Sequence, residues 1–294
     1  MSKKLLILGA NGMLGGSLHR YFTKYTNAEV LGTVRSEHVR TQLAKMGFNN
    51  IVSGVDVLDE QILTRVLSEE SPDYVFNCIG LIKQLSESKL PIPAIEINSL
   101  LPHKLAQLCS LSGSKFVHFS TDCVFSGELG GYTEQDVPDA VDIYGRSKLL
   151  GEVGYDGHLT LRTSIIGHEL NSSNSLVDWF LRQQISVKGF SRACFSGMPT
   201  CFIAEFVEKY IFTNPDFSGV YHLSVNPIDK YSLLLLVKDK YGLSTDVQEC
   251  SELIIDRSLN SDALRSVLGF VPPSWPELIE KMHSEYIEYF CRYE

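Results

Sequence analysis

The sequence predicts an α/β protein in which a doubly wound parallel sheet is joined to a small mixed C-terminal lobe. Three observations carry this. Short aliphatic runs alternate with helical patterns from residue 4 to residue 166, and such alternation calls for a parallel sheet covered by helices on both faces. The runs are almost unbroken in Leu, Ile and Val, as in Leu5-Leu6-Ile7-Leu8, which is how strands buried on both faces read. Beyond residue 166 the alternation loses its regularity, so the rest of the chain reads as a separate, smaller unit.

The elements follow in order. Lys4–Leu8 is a strand that stops at glycine. Residues 12–25 form a helix with Leu14, Leu18, Tyr21 and Phe22 on one face. Residues 29–34 are the second strand, 36–47 a helix and 50–52 a short third strand. Residues 59–70 are a helix stopped by Ser71-Pro72, because the residue before proline is pushed out of helical geometry. Residues 74–79 make the fourth strand, 98–112 a helix ended by Gly113, 115–120 the fifth strand, 144–153 a helix and 159–166 the sixth strand. Later, 175–184 and 201–212 read as helices, 219–224 as a strand, 232–241 as a helix and 277–290 as an amphipathic helix. The expected division is 1–166 and 167–294, with strand 219–224 returning to the sheet of the first part. No Pro/Gly/Ser linker separates the two parts.

Composition narrows the partners. The 294 residues are 44% hydrophobic and 21% charged, with a net charge of −9. That is ordinary globular material, and its acidity disfavours a phosphate polymer as partner. No nucleic acid and no membrane is expected: the aliphatic run Leu233 to Val237 is too short to span a bilayer. Leu5 to Leu8 is too short for a signal-peptide core. The seven cysteines show no CxxC spacing. They read as reduced thiols of a cytoplasmic protein, with no metal site.

The first strand runs into Gly9-Ala10-Asn11-Gly12-Met13-Leu14-Gly15. A dinucleotide pyrophosphate needs a tight turn, a close backbone approach and a helix N-terminus aimed at it. The spacing is GxxGxxG rather than GxGxxG, but a strand precedes it and a helix follows, the context that gives the pattern meaning. This is a Rossmann-type turn. The second strand ends Thr33-Val34-Arg35-Ser36, without the carboxylate that would accept the 2′-hydroxyl of NAD. Arg35 suits a 2′-phosphate instead, so the expected cofactor is NADPH, with NADH as the alternative.

Tyr144 and Lys148 stand four apart and share a helix face. A phenol with a pKa near 10 is a weak acid–base catalyst at neutral pH. A neighbouring ammonium lowers that value and fits it for proton transfer. Thr121, at the end of the fifth strand, can bond the same carbonyl oxygen.

With these motifs the chain resembles the extended short-chain dehydrogenase/reductase family, in its dTDP-4-dehydrorhamnose reductase (RmlD-like) branch. The resemblance also runs through Asp56-Val57, Asn77-Cys78-Ile79-Gly80, Asn98, Ser120 to Gly127, Tyr144-Gly145-Arg146-Ser147-Lys148, Leu161 to Ser164, Gly197-Met198-Pro199-Thr200, Gly219 to Ser224 and Arg257 to Ser261. It implies that Thr121, Tyr144 and Lys148 are catalytic. It implies that Asp56 and Val57 hold the adenine, that Cys78, Ile79 and Gly80 lie under the adenosine and ribose, and that Asn98 supports a proton-relay water. Ser164 and Ile165 would meet the nicotinamide, and residues 167–294 would form a substrate-binding lobe. Cys123 stands where the family usually carries Tyr, and Leu81-Ile82-Lys83-Gln84 departs from its usual segment. Lys83, Asp122 and Cys123 are therefore expected near the substrate, with Arg192 and Arg257 as partners for its diphosphate. The implied reaction is reduction of a nucleotide-linked 4-keto-6-deoxy sugar in cell-surface polysaccharide synthesis. A nucleotide-sugar epimerase or dehydratase is the alternative on the same fold, and a regulatory subunit similar to methionine adenosyltransferase beta is the non-enzymatic one. The terminal helix suits a core or a homodimer interface equally.

The remaining candidates read as structural. Gly167-His168-Glu169-Leu170 has no second His at metalloprotease spacing, His118 lies inside the fifth strand, and Cys194 and Cys201 are too isolated for a metal site.

Overall fold

The computed structural model describes residues 2–81, 90–170 and 174–291. Seven parallel strands form the central sheet: β1 (Lys4–Leu8), β2 (Glu29–Thr33), β3 (Ile51–Val52), β4 (Tyr74–Asn77), β5 (Lys115–Thr121), β6 (Leu159–Thr163) and Gly219–His222, which is β11 in chain order. Their order across the sheet is β11-β6-β5-β4-β1-β2-β3. The chain works outward from β1 in one direction, then returns and builds the other half from β4. The gap between β1 and β4 is the switch point at which such sheets bind ligands.

The two faces of the sheet bury different cores. Leu5 and Ile7 point into one cluster while Leu6 and Leu8 point into the other, the period-two alternation of a strand with both faces covered. The first face carries helix α1 (Met13–Tyr25), packed on α7 (Thr200–Phe206) and α10 (Trp275–Tyr289) from the C-terminal part. The second face carries α3 (Glu60–Glu70) and the long helix α4 (residues 91–112), whose Leu101, Leu105, Ala106 and Cys109 are buried against Phe116. Helix α2 (Glu37–Lys45) closes the β3 edge, and α5 (Ile143–Leu150) crosses above β5.

The C-terminal part is mixed. β7 (Ile165–Ile166) pairs with β10 (Met198–Pro199), β9 (Ala193–Phe195) lies between antiparallel β12 (Ile228–Asp229) and parallel β14 (Ile255–Asp256), and β8 (Ser186–Phe190) pairs in parallel with β13 (Asp246–Cys250). Helices α6 (Leu176–Leu181), α8 (Lys230–Tyr241) and α9 (Asp262–Leu268) fill in around them. No described helix is long and apolar enough to cross a membrane.

Of the boundaries that differ from the sequence expectation, three have a cause visible in the backbone or its hydrogen bonds. The sixth strand does not run unbroken to 166. The Ser164 carbonyl leaves the sheet to accept from Met198 N–H at 3.0 Å, and Ile165 and Ile166 pair with β10 instead. The fourth strand ends at Asn77, because its side chain accepts from Ile79 N–H at 3.1 Å and turns the chain off the sheet. The helix expected from residue 98 starts earlier, as an α-turn at Pro91–Ala94, and widens to π at Ile95–Leu100 before Leu101–Ser112. Proline is tolerated in a first turn, and the widened turn precedes Pro102, whose ring would crowd a regular turn.

Candidate active site

The glycine turn lies at the carboxyl end of β1, above the switch point. Gly9 holds a φ of +83°, and a Cβ there would stand 2.8 Å from the Ile79 side chain. A Cβ on Gly15 would stand 2.2 Å from the Gly9 carbonyl oxygen, so α1 can start this close to β1 only with glycine at both places. Ala10 N–H is tied to Thr33 O at 3.1 Å and Gly12 N–H to Gly9 O at 3.1 Å. Gly12 is the N-cap of α1, and no side chain caps it. The first amides of α1 are therefore left to an anion, the arrangement that receives a pyrophosphate. Asn11 and Met13 are half-buried beside it and Leu14 is in the core. These residues fit a dinucleotide.

The flanking residues frame the rest of that groove. Arg35 is exposed just past the end of β2. Val57 is buried, while Asp56 is exposed and accepts from Leu58 N–H at 3.1 Å. Cys78, Ile79 and Gly80 follow β4, half-buried. A methyl built on Gly80 would be 3.4 Å from Asn98 Oδ1 and 3.9 Å from Lys148 Nζ. Asn98 is itself buried: its Oδ1 accepts from Leu81 N–H at 2.9 Å and its Nδ2 donates to Ser147 Oγ at 3.2 Å. Asn98 thus binds the segment after β4 to α5.

Tyr144 and Lys148 stand on α5, which Asp142 caps by accepting from Gly145 N–H at 2.8 Å. Tyr144 is half-buried, and withdrawal of its phenol from water raises its pKa above the ordinary tyrosine value, with the nearby Cys123 acting the same way. The neighbouring Thr121 hydroxyl works against that rise. Lys148 is buried, and burial pulls its pKa down to about 8, against the opposing effects of Glu152 and Cys78. Its Nζ donates to Phe119 O at 2.7 Å. So the lysine is held from below by β5 rather than by a bond to Tyr144.

Thr121 ends β5 and caps the 3-10 turn Asp122–Val124, accepting from Cys123 N–H at 3.1 Å and donating to Asp122 Oδ1 at 3.1 Å. Asp122 is buried, which raises its pKa, while hydrogen bonds from Cys123, Thr121 and Ser164 and the charge of Arg257 oppose the rise. Thr121, Asp122, Cys123, Tyr144 and Ser164 are thereby gathered at the carboxyl ends of β5 and β6. Ile165, next along, is exposed.

Other expected residues fare differently. Arg257 reaches this cluster, but its guanidinium is engaged, Nε with Phe125 O at 2.9 Å and Nη2 with Ser126 O at 3.1 Å. It fastens the loop after β5 to β14. Arg192 is exposed at the start of β9, its carbonyl accepting from Ile255 N–H at 3.0 Å. Lys83 lies outside the described residues. Among the described residues, no three His, Cys, Asp or Glu side chains are grouped to hold a metal ion.

Sequence reasoning missed the layer below. Glu152, on the loop after α5, accepts from Ser120 Oγ at 2.7 Å and from Arg162 Nε and Nη2 at 2.8 and 2.7 Å. Arg162 Nη1 also lies 3.2 Å from His222 Nε2 on β11. The available signal was an Arg inside a strand otherwise fit for the core, since buried charge comes with a partner.

Comparison with known proteins bears on the family and the fold. Residues 3–286 match the family model described as the RmlD substrate binding domain. The probable low-salt glycan biosynthesis reductase Agl14 of Haloferax volcanii is 35% identical over 147 residues, spanning 50% of this chain and 46% of that protein. The rat (Rattus norvegicus) methionine adenosyltransferase 2 subunit beta is 23% identical over 265 residues, 82% of this chain and 73% of that one. The crystal structure of dTDP-4-dehydrorhamnose reductase from Bacillus anthracis str. Ames, in complex with NADP, superposes with a TM-score of 0.78 at 22% identity, covering 97% of this chain and 100% of that one. The fold is that of those reductases, and the chain belongs to the RmlD substrate binding domain family.

Proposed function

We propose that the chain is an NADPH-dependent reductase of a nucleotide-linked 4-keto-6-deoxy sugar, acting in cell-surface polysaccharide synthesis. The observation that carries this is the grouping of Tyr144 and Thr121 above a buried Lys148, across from an uncapped glycine turn. Membership of the RmlD family and a reductase neighbour crystallised with NADP support it.

When bound, the nicotinamide supplies the hydride that goes to C4 of the sugar. The residues of the chain do the rest. The amides of the glycine turn and of α1 hold the pyrophosphate, and Arg35 takes the 2′-phosphate. The Thr121 hydroxyl turns from Asp122 to orient the ketone oxygen. Tyr144 gives its phenolic proton to that oxygen, leaving an alcohol, and regains a proton from solvent. The raised pKa of Tyr144 keeps that proton in place at neutral pH, as the reductive direction requires. Lys148 binds the ribose, and its charge eases departure of the proton. Asp122 and Cys123 line the sugar side, and residues 167–294 supply the lobe that holds the nucleotide.

The test is NADPH consumption by the purified protein with dTDP- and UDP-linked 4-keto-6-deoxy sugars. One NADPH oxidised per sugar is expected, and Tyr144→Phe is expected to lower kcat by about 10²-fold or more while NADPH still binds. Full turnover by that variant would remove Tyr144 from the mechanism. Turnover without net NADPH loss would favour an epimerase or dehydratase. The likeness to the rat beta subunit makes a regulatory role the other outcome, read as no turnover together with tight co-purification of a larger enzyme.

A further inference from the structure

Beneath Lys148 lies a buried chain of polar groups that the proposed reaction does not by itself call for. Asn77 on β4 and His118 on β5 are paired in register and almost wholly buried, at 1% and 0% exposure. The Ile79 N–H donates to Asn77 Oδ1 at 3.1 Å, which decides how the carboxamide is turned. Its Nδ2 then faces His118 Nδ1 at 3.2 Å. An amide nitrogen only donates, so Nδ1 must accept and the ring proton must sit on Nε2. The ring is neutral: burial, and then the charge of Lys148, hold its pKa well below the ordinary histidine value. His118 Nε2 lies 3.4 Å from Lys148 Nζ, which donates to Phe119 O on its other side.

We infer that Asn77 and His118 are positioning residues that set the protonation state of Lys148, because a one-way chain from Ile79 N–H through Asn77 to His118 Nε2–H aims a donor at the lysine nitrogen. An ammonium has three N–H bonds and no lone pair, so it meets that donor unfavourably. The neutral amine accepts from it, still donates to Phe119 O and keeps one N–H for the ligand side beside Gly80. Burial, which brings Lys148 to about 8, acts in the same direction. Glu152 and Cys78 face the lysine and act against it, Tyr144 lies one turn earlier on its own helix, and His103 adds to the lowering at His118. The activity readout rests on the proposed reaction; the position of the ring proton does not.

The variant that separates the possibilities is Asn77→Asp. A carboxylate still accepts from Ile79 N–H but can only accept from His118, so the ring proton moves to Nδ1. The Nε2 lone pair then faces Lys148 and favours the ammonium. With 15N-labelled histidine, the wild-type ring whose signals vanish in His118→Gln is expected to show the Nε2–H tautomer from pH 6 to 9, and to switch in Asn77→Asp. In the same variant the basic limb of kcat/KM is expected to rise by about one pH unit or more, a tenfold change in ionisation constant. If turnover is absent, the pH dependence of NADPH binding by fluorescence reads the same shift. An Nδ1–H ring in the wild type overturns the inference without recourse to any variant, and a switched ring that leaves the basic limb in place overturns its extension to Lys148.

Discussion

Replacing Lys148 by Met tests how strongly burial acts on the site. The side chain is only 6% exposed, and its pKa falls from 10.5 to about 8 on folding, chiefly through burial. Below about pH 8 the lysine is charged in both the folded and unfolded chain, so the full cost of burying the ammonium is present. Between about 8 and 10.5 the unfolded chain binds a proton that the folded chain has released, so stability from this group rises with pH in that window. The gap of about 2.5 in pKa corresponds to about 3 kcal/mol at pH 7, at ~1.4 kcal/mol for each pH unit. At pH 9.5 only one such unit remains, ~1.4 kcal/mol. Methionine keeps an unbranched chain of similar length and has no charge to bury. It loses the bond to Phe119 O, but that loss is nearly the same at every pH. The stability of wild type relative to Lys148→Met is therefore expected to rise by about 2 kcal/mol between pH 7 and pH 9.5. Urea unfolding of both proteins at several pH values, followed by tryptophan fluorescence, measures it. Groups out of reach of Lys148 are common to the two proteins and cancel, and His118 and Cys78, which feel its charge, stay neutral in the folded chain across that window. A difference that stays constant across that range would refute the argument that Lys148 is charged at a cost in the folded protein.

Three further outcomes follow from the same geometry. Gly15→Ala places a methyl 2.2 Å from the Gly9 carbonyl oxygen, so NADPH affinity by fluorescence titration is expected to fall by roughly 100-fold; unchanged affinity would remove the turn from the binding site. Arg35→Asp substitutes an acceptor for the 2′-hydroxyl where a partner for the 2′-phosphate stood. The ratio of kcat/KM for NADPH over NADH is expected to drop at least about tenfold, a change of ~1.4 kcal/mol, and an unaltered ratio would exclude Arg35 from cofactor choice. Glu152→Gln leaves the buried Arg162 guanidinium without its carboxylate, whose bonds are 2.7 and 2.8 Å long. A loss of about 3–5 kcal/mol in chemical unfolding is expected, and a loss below 1 kcal/mol would show that the pair is hydrated enough to matter little.

The legible part of the molecule was its local part. Leu5 to Leu8 announce a strand because a residue's neighbours two along share its face, and the structure divides Leu5 and Ile7 from Leu6 and Leu8 accordingly. The glycine turn was readable because a sterically forced turn leaves the same residue type at each forced position. Tyr144 and Lys148 were readable because one helical turn brings them together. The start of the helix at Pro91 was not, since a π-turn has no simple sequence mark. Nor was the use of Arg257, whose sequence context shows a free cation but whose guanidinium is taken by the carbonyls of Phe125 and Ser126.

What the sequence by itself determined was the glycine turn, the alternating layers and the helix face that bears Tyr144 and Lys148, because each depends on residues a few positions apart and on a fixed helical or strand period. What only the tertiary structure decided is what stands beneath Lys148. Asn77 and His118 are 41 residues apart and His118 and Lys148 are 30 apart; they meet because β4 and β5 lie side by side in one register with α5 crossing above. Register and crossover are settled by how the whole sheet buries its two apolar faces, which no local pattern records.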